Sequence, residues 1–368
     1  MKNFLTIEIP DSRNFGLDIM RSIAILFVLV SHSLTYLPIK ISEKLSTVLI
    51  DGVAVFFVLS GFLIGTIMLR SFQKRISFQD LFLFWLKRWL RTLPLYFFIL
   101  TILIIIGKIK DGSLSHIPLY KYYFFIQNFN NPIYDFFPES WSLSVEEWFY
   151  FLFPLLLLTF SVFMRSKKLL FLAVIILLLV SITGLRFYRY FNLETKSYFF
   201  YDRYFLREVT SRLDAIVYGV FAAWLRFYYD SFWNRLKLHR NIICFIAAFV
   251  IVLVTYYERK NDLVLYLFSF TFISIAIALT LPFFERMSTS KSQYLNDSIT
   301  RLSIISYSLY LVNLNLVSFY FLNSLNVNSY IKFILFWLIT FLLSILTYKY
   351  IEKPVMDYRS KLIPKRAL

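Results

Sequence analysis

Apolar runs approaching twenty residues recur from one end of this chain to the other, and few folds accommodate such runs. About twenty consecutive apolar residues cross a bilayer as a helix, and 59% of the 368 residues are hydrophobic, more than a soluble core of that length needs. The mean hydropathy is +0.65. The expected fold is therefore all-α: a polytopic integral membrane helical bundle with about ten transmembrane helices. The expected spans lie near residues 15–37, 47–69, 91–107, 141–163, 169–185, 206–228, 241–257, 263–284, 302–322 and 330–350. No linker rich in Gly, Ser or Pro divides the chain, so one domain is expected over 1–368 with its core at 15–354 and no appended soluble module. No signal-peptide pattern precedes the first run. The single Cys244 offers neither a disulfide framework nor a thiolate metal site.

The formal net charge of +17 does not imply nucleic acid, because the cations are scattered over short loops between spans. Placing both termini in the cytoplasm puts Lys74/Arg75, Arg165/Lys167/Lys168, Arg235/Lys237/Arg240, Arg286/Lys291 and Lys353/Arg359/Lys361/Lys365/Arg366 inside. About 24 cations then lie inside against about 13 outside, in the sense of the positive-inside rule. Such a collar also attracts anionic membrane lipids. The outer segment 186–207 opposes this orientation with Arg186, Arg189, Lys196, Arg203 and Arg207, unless those charges serve a ligand or pair with Glu194, Asp202 and Glu208. The outer segments 108–140 and 186–205 are crowded with aromatic and amide groups, among them Asn128 to Asn131, Tyr134, Asp135 and Tyr198 to Tyr204. Rings and amides of this kind suit sugars, and they equally suit a membrane interface.

Inside the apolar runs, a few residues are out of place. Arg21 and His32 are eleven positions apart in the first run, which places them on one helix face about 16 Å apart. An ionisable group in hydrocarbon costs several kcal/mol unless it is paired or faces a watery cavity. The pair therefore reads as a polar path through the bundle, or alternatively as a snorkelling Arg and a structural His. Arg88 and Arg91, three apart at the expected inner surface, would present two guanidinium forks to phosphate, or would anchor an interfacial helix on lipid. Glu146 and Glu147, Arg212 and Asp214, Asp51, Tyr307, Asn313 and Asn315 spread further polar groups over the spans. A set of this size implies a shared hydrophilic interior.

The wording of these segments resembles the membrane acyltransferase-3 family. It is carried by Arg21 and His32 with ten residues between, by Gly52-Val53-Ala54-Val55-Phe56-Phe57-Val58-Leu59-Ser60-Gly61-Phe62-Leu63-Ile64, and by Arg88-x-x-Arg91. Trp141-Ser142-Leu143-Ser144-Val145-Glu146-Glu147-Trp148-Phe149-Tyr150, Arg212-x-Asp214 and Ser306-Tyr307-Ser308-Leu309-Tyr310-Leu311 follow in the family's order, ending near Glu352-Lys353-Pro354. The resemblance implies about ten spans and transfer of an acyl group, usually acetyl, from cytoplasmic acyl-CoA to a hydroxyl of an envelope glycan or a small molecule. The chain resembles the stand-alone type, without a fused SGNH esterase-like module. Three departures stand out: Ala54 where many members are acidic, Trp148 where Gln is frequent, and Asn313 where His is common.

Acyl transfer to an alcohol requires a base, and neutral His is the usual choice near pH 7. His32 is the expected catalytic residue, since His116 and His239 fall in loops. A covalent acyl-His relay and direct attack on the thioester both remain open. Arg21, Arg88 and Arg91 are the expected partners of acetyl-CoA. Glu146, Glu147, Arg212, Asp214 and Tyr307 would either contact substrate in the pore or balance charge. No metal-ligand cluster or Gly-rich phosphate loop stands in the sequence. The expected acceptor is a glycan or lipid-linked glycan such as an O-antigen or exopolysaccharide sugar, the expected place a bacterial inner membrane. A macrolide-like acceptor and a transporter or flippase are the alternatives; the eight Gly and ten Pro show no duplicated halves of the kind transporters often carry.

Overall fold

The computed structural model of the protein describes residues 7–10, 13–47, 49–73, 76–112, 114–129 and 136–362. Lys74, Arg75, Asn130, Asn131, Tyr134, Asp135, Lys365 and Arg366, used above to read loops and orientation, lie outside the described residues. The chain is 82% helical and has no strand among the described residues. The longer helices are α1 (Phe15–Ser33), α2 (Gly52–Ser71), α3 (Phe78–Asp111), α4 (Ser140–Ser161), α5 (Lys167–Asn192) and α6 (Asp214–Tyr228). They are followed by α7 (Arg240–Glu258), α8 (Ser269–Glu285), α9 (Gln293–Ile304), α10 (Ser306–Val312), α11 (Ser329–Thr347) and α12 (Lys353–Leu362). Among the described residues eight helices are long and apolar enough to cross a membrane. The pair Gln293–Ile304 and Ser306–Ser324, bent by 52°, makes a ninth.

The ends of the helices follow from local chemistry. Asn14 and Asp51 cap α1 and α2 by accepting the backbone N–H groups of Leu17 and Val53, the role for which short polar side chains are favoured. Ser77 and Asp80 close a reciprocal capping box on α3. Gly112, at φ +72°, ends it in a conformation that only glycine adopts cheaply.

Two expected spans differ from the structure. The third was expected to begin near Pro94, after a separate interfacial helix, yet α3 runs unbroken through Pro94. Proline is tolerated within a membrane helix where neighbouring groups satisfy the freed backbone, and α3 continues past it to Asp111. The sixth, 206–228, is interrupted: residues Val209–Arg212 form one short turn and α6 has 15 residues. At 1.5 Å per residue α6 is about 22 Å long, short of a full hydrocarbon crossing.

What α6 lacks in length it recovers in packing. Gly61 and Gly65 of α2 face Gly219 and Ala223 of α6, and a Cβ at Gly61 would stand 1.9 Å from the Ile216 carbonyl oxygen. Small residues spaced by four let two helix backbones touch, the usual means of association where lipid removes the hydrophobic drive. The start of α6 is fixed to α5 by Arg186 and Asp214, 2.6 Å apart with both side chains almost fully buried. Arg186 also donates to the Ser211 carbonyl.

Part of the charge of segment 186–207 is paired within the bundle. α5 extends to Asn192, so Arg186 and Arg189 are helical rather than loop residues. Arg189 pairs with Glu208 at 2.7 Å and Arg207 with Asp202 at 2.9 Å. Two of the three carboxylates named in the sequence reading therefore take those charges.

Candidate active site

Two cavities open inside the bundle. One, of about 670 Å³, is lined by Arg21 from α1, Ser60 and Arg70 from α2, Arg88 and Arg91 from α3, Glu146 from α4, Tyr307 from α10, and Glu352 and Arg359 near the C-terminal end. The other, of about 720 Å³, is lined by His32 from α1, Asp51, Glu139, Trp141, Arg212 and a rim of Lys196, Tyr198, Tyr201, Glu258 and Arg259. Arg21 and His32 thus both face the interior from one helix, and each opens to a different chamber. Val53 and Tyr310 are the two described residues that line both.

The arginine cavity has a cationic surplus. Seven guanidiniums and four carboxylates line it. Arg13 pairs with Asp18 and Arg226 with Glu285 at 2.5 Å, which leaves five cations facing Glu146 and Glu352. Arg88 donates to the Tyr150 hydroxyl at 3.0 Å, and that hydroxyl donates in turn to Glu146 at 2.8 Å. Ser60 meets the same hydroxyl at 2.6 Å. Glu352 accepts from the Ser308 hydroxyl at 2.9 Å. Arg21 and Arg91 have no hydrogen bond or ion pair among the described residues. Unpaired guanidinium groups held inside a bundle are costly unless an anion joins them, and five planar donors each suit phosphate or carboxylate oxygens.

The histidine cavity is lined by basic and acidic residues in equal number: Lys196, Arg207, Arg212 and Arg259 stand against Asp51, Glu139, Glu258 and Asp262. Arg212 bonds Asp51 at 3.1 Å and lies 4.5 Å from the Phe270 ring centroid. Glu139 immediately precedes α4 and is almost fully buried. It accepts the Asn315 N–H at 3.2 Å, and burial pushes its carboxyl up to about 8.

The His32 ring is fixed by its partner. Its Nδ1 lies 2.5 Å from Asn313 Oδ1. The Asn313 amide nitrogen donates to the Leu309 and Tyr310 carbonyls at 2.9 and 2.8 Å, so the oxygen of that amide can only accept. Nδ1 therefore carries the proton of the neutral ring and Nε2 keeps a free lone pair, a tautomer assigned from the network. Asn313 begins a π-helical stretch, Asn313–Phe321, of a kind often found at functional sites. Sequence reading counted Asn313 among the interior polar groups and as a departure from the family's His, since nothing local tells that it meets His32.

The other expected residues divide. Arg21, Arg88, Arg91, Glu146 and Tyr307 line one cavity, and Tyr307 donates to the Thr92 carbonyl at 2.7 Å. Arg88 and Arg91 face this interior space rather than a lipid surface. Glu147 and Asp214 line neither cavity: Glu147 accepts from Thr92 at 2.9 Å and Asp214 pairs with Arg186. Both are occupied in holding helices together. Val53, Glu139, Tyr150, Tyr310 and Glu352 were not singled out as site residues by sequence, although all but Glu139 stand within the quoted motifs.

A helical bundle of membrane-spanning length, with an arginine-rich cavity and a histidine-bearing one in its interior, defines a multi-pass membrane protein. The family model for the acyltransferase domain, acyltransferase-3, matches residues 14–349, so the chain belongs to the acyltransferase-3 family and is an acyltransferase. Its relatives include the peptidoglycan O-acetyltransferase OatA of Listeria monocytogenes, 32% identical over 135 residues, which are 32% of this chain and 21% of that protein. The O-acetyltransferase OatA of Staphylococcus aureus is 28% identical over 155 residues, 39% of this chain and 24% of that protein. The matched part thus spans about a quarter or less of those relatives' length. No solved structure matches the chain.

Proposed function

We propose that the protein is a membrane-embedded O-acetyltransferase that takes acetyl from acetyl-CoA in the arginine cavity and delivers it to a glycan hydroxyl in the histidine cavity. The observation that carries this reading is the junction of the two chambers at Val53 and Tyr310, with unpaired Arg21 and Arg91 on one side and the free Nε2 of His32 on the other. In this reading Arg21, Arg88 and Arg91 bind the donor phosphates. His32 Nε2 takes the proton of the acceptor hydroxyl as its oxygen attacks the thioester carbonyl. The C–O bond forms, the C–S bond breaks, and the proton passes from His32 to the departing thiolate. Direct transfer of this kind needs no acyl-His intermediate.

In the same reading the arginine cavity opens to the cytoplasm of a bacterium, with both termini on that side of the inner membrane. The acceptor is an envelope glycan, peptidoglycan or a lipid-linked polysaccharide, and the rings of Trp141, Tyr198 and Tyr201 supply faces for its sugars. The test is transfer of radiolabelled acetyl from acetyl-CoA by purified protein in lipid, with each glycan offered separately. His32→Ala is expected to reduce transfer by about 10²–10⁴-fold, the share a general base supplies, at unchanged membrane abundance. Wild-type turnover by that variant would refute the assignment.

A further inference from the structure

We infer that Val53 and Tyr310, which line both chambers, set the length of the acyl group the enzyme transfers and restrict it to short acyl chains. The inference rests on the donor and acceptor cavities proposed above. The base lines only the histidine cavity and the unpaired cations only the arginine cavity. A thioester carbonyl reached by both sides must therefore lie at the boundary, with its acyl chain against these two side chains.

The boundary is rigid. Val53 follows Gly52, where an added Cβ would stand 2.4 Å from the Ala24 carbonyl oxygen and 2.9 Å from Val28 Cγ2, so α2 has no room to retreat towards α1. Asp51 caps the same turn through the Val53 N–H. Tyr310 is tied from two directions: its hydroxyl donates to the Glu139 carbonyl at 2.9 Å and accepts from Ser142 at 2.7 Å. Neither wall can swing aside without breaking a hydrogen bond or driving backbone into backbone. A well-packed apolar wall discriminates about tenfold or more per methylene group.

Trimming Val53 should therefore lengthen the acyl group accepted. The experiment compares acetyl-, propionyl- and butyryl-CoA as donors for wild type, Val53→Ala and Val53→Ile with one glycan acceptor. Wild type is expected to favour acetyl over butyryl, and Val53→Ala to raise the butyryl-to-acetyl ratio of kcat/KM by about tenfold or more. Val53→Ile, which adds one methylene, is expected to move the ratio the other way and to give an independent readout should the Ala variant fold poorly. If wild type transfers acetyl but neither variant changes the ratio by more than about twofold, the inference is overturned and the acetyltransferase reading stands. If wild type transfers none of the three acyl groups, both fall.

Discussion

Asn313 shows how a single side chain can decide the chemistry of another 281 positions away in the chain. With both its amide hydrogens given to backbone carbonyls, it leaves His32 one neutral tautomer. A base whose proton sits on the wrong nitrogen loses most of its power even when geometry is kept. Asn313→Leu is therefore expected to lower kcat by about 10²-fold, within the range a positioned base supplies, with little change in donor KM. Asn313→Asp keeps an acceptor for Nδ1 but turns its second oxygen towards the Leu309 and Tyr310 carbonyls, so it should recover only part of the kcat lost in the Leu variant. Equal losses in both variants, or a loss confined to KM, would argue against the tautomer role. At this scale the sequence was half legible. The cost of charge in hydrocarbon marked Arg21 and Glu146 as interior groups, Arg88 and Arg91 were expected at the inner surface, and one cavity gathers all four with Tyr307. The same argument could not separate Glu146 from Glu147, because neighbours on a helix point about 100° apart and the face that meets the cavity is set by tertiary packing.

Helices α2 and α6 are held at backbone contact by glycines whose absence of a side chain is their whole contribution. A Cβ at Gly219 would lie 2.1 Å from the Val58 carbonyl oxygen, whereas one at Gly184 of α5 meets nothing within 4 Å. The same Gly→Ala change should therefore have opposite signs at the two positions. Gly219→Ala is expected to destabilise by about 1–3 kcal/mol through overpacking. Gly184→Ala should leave stability unchanged or raise it by about 0.5–1 kcal/mol, the helix-interior preference for Ala. Thermal unfolding of both proteins in detergent measures this, and a Gly219→Ala protein as stable as wild type would contradict the close packing. Most helices were legible as apolar runs because length and hydropathy suffice for a span that faces lipid. α6 was misjudged in length for the opposite reason: it is buried among other helices, so its polar breaks at Arg212 and Asp214 are tolerated by Asp51 and Arg186 instead of being expelled. Pro94 misplaced a helix start because local sequence rules weigh proline as a helix breaker, whereas a helix inside a membrane bundle tolerates it.

Across the whole molecule, the bundle holds two cavities, and Val53 and Tyr310 line both. The arginine cavity lies towards the end where α1 begins and the histidine cavity towards the end where it finishes, as the order of Arg21 and His32 along one helix requires. In the reading proposed above, the first of these ends faces the cytoplasm. The class of fold and its polar interior were readable from composition and from charges in apolar runs. The division into two chambers was not, since it depends on which side chains block the path between helices far apart in sequence. The most direct test of the account is transfer across a sealed membrane. Vesicles holding the protein in one orientation are given labelled acetyl-CoA only on the side of the chain termini and glycan acceptor only on the other. The account predicts label in the acceptor with wild type and none above background with His32→Ala. Transfer only when donor and acceptor share a side would contradict it.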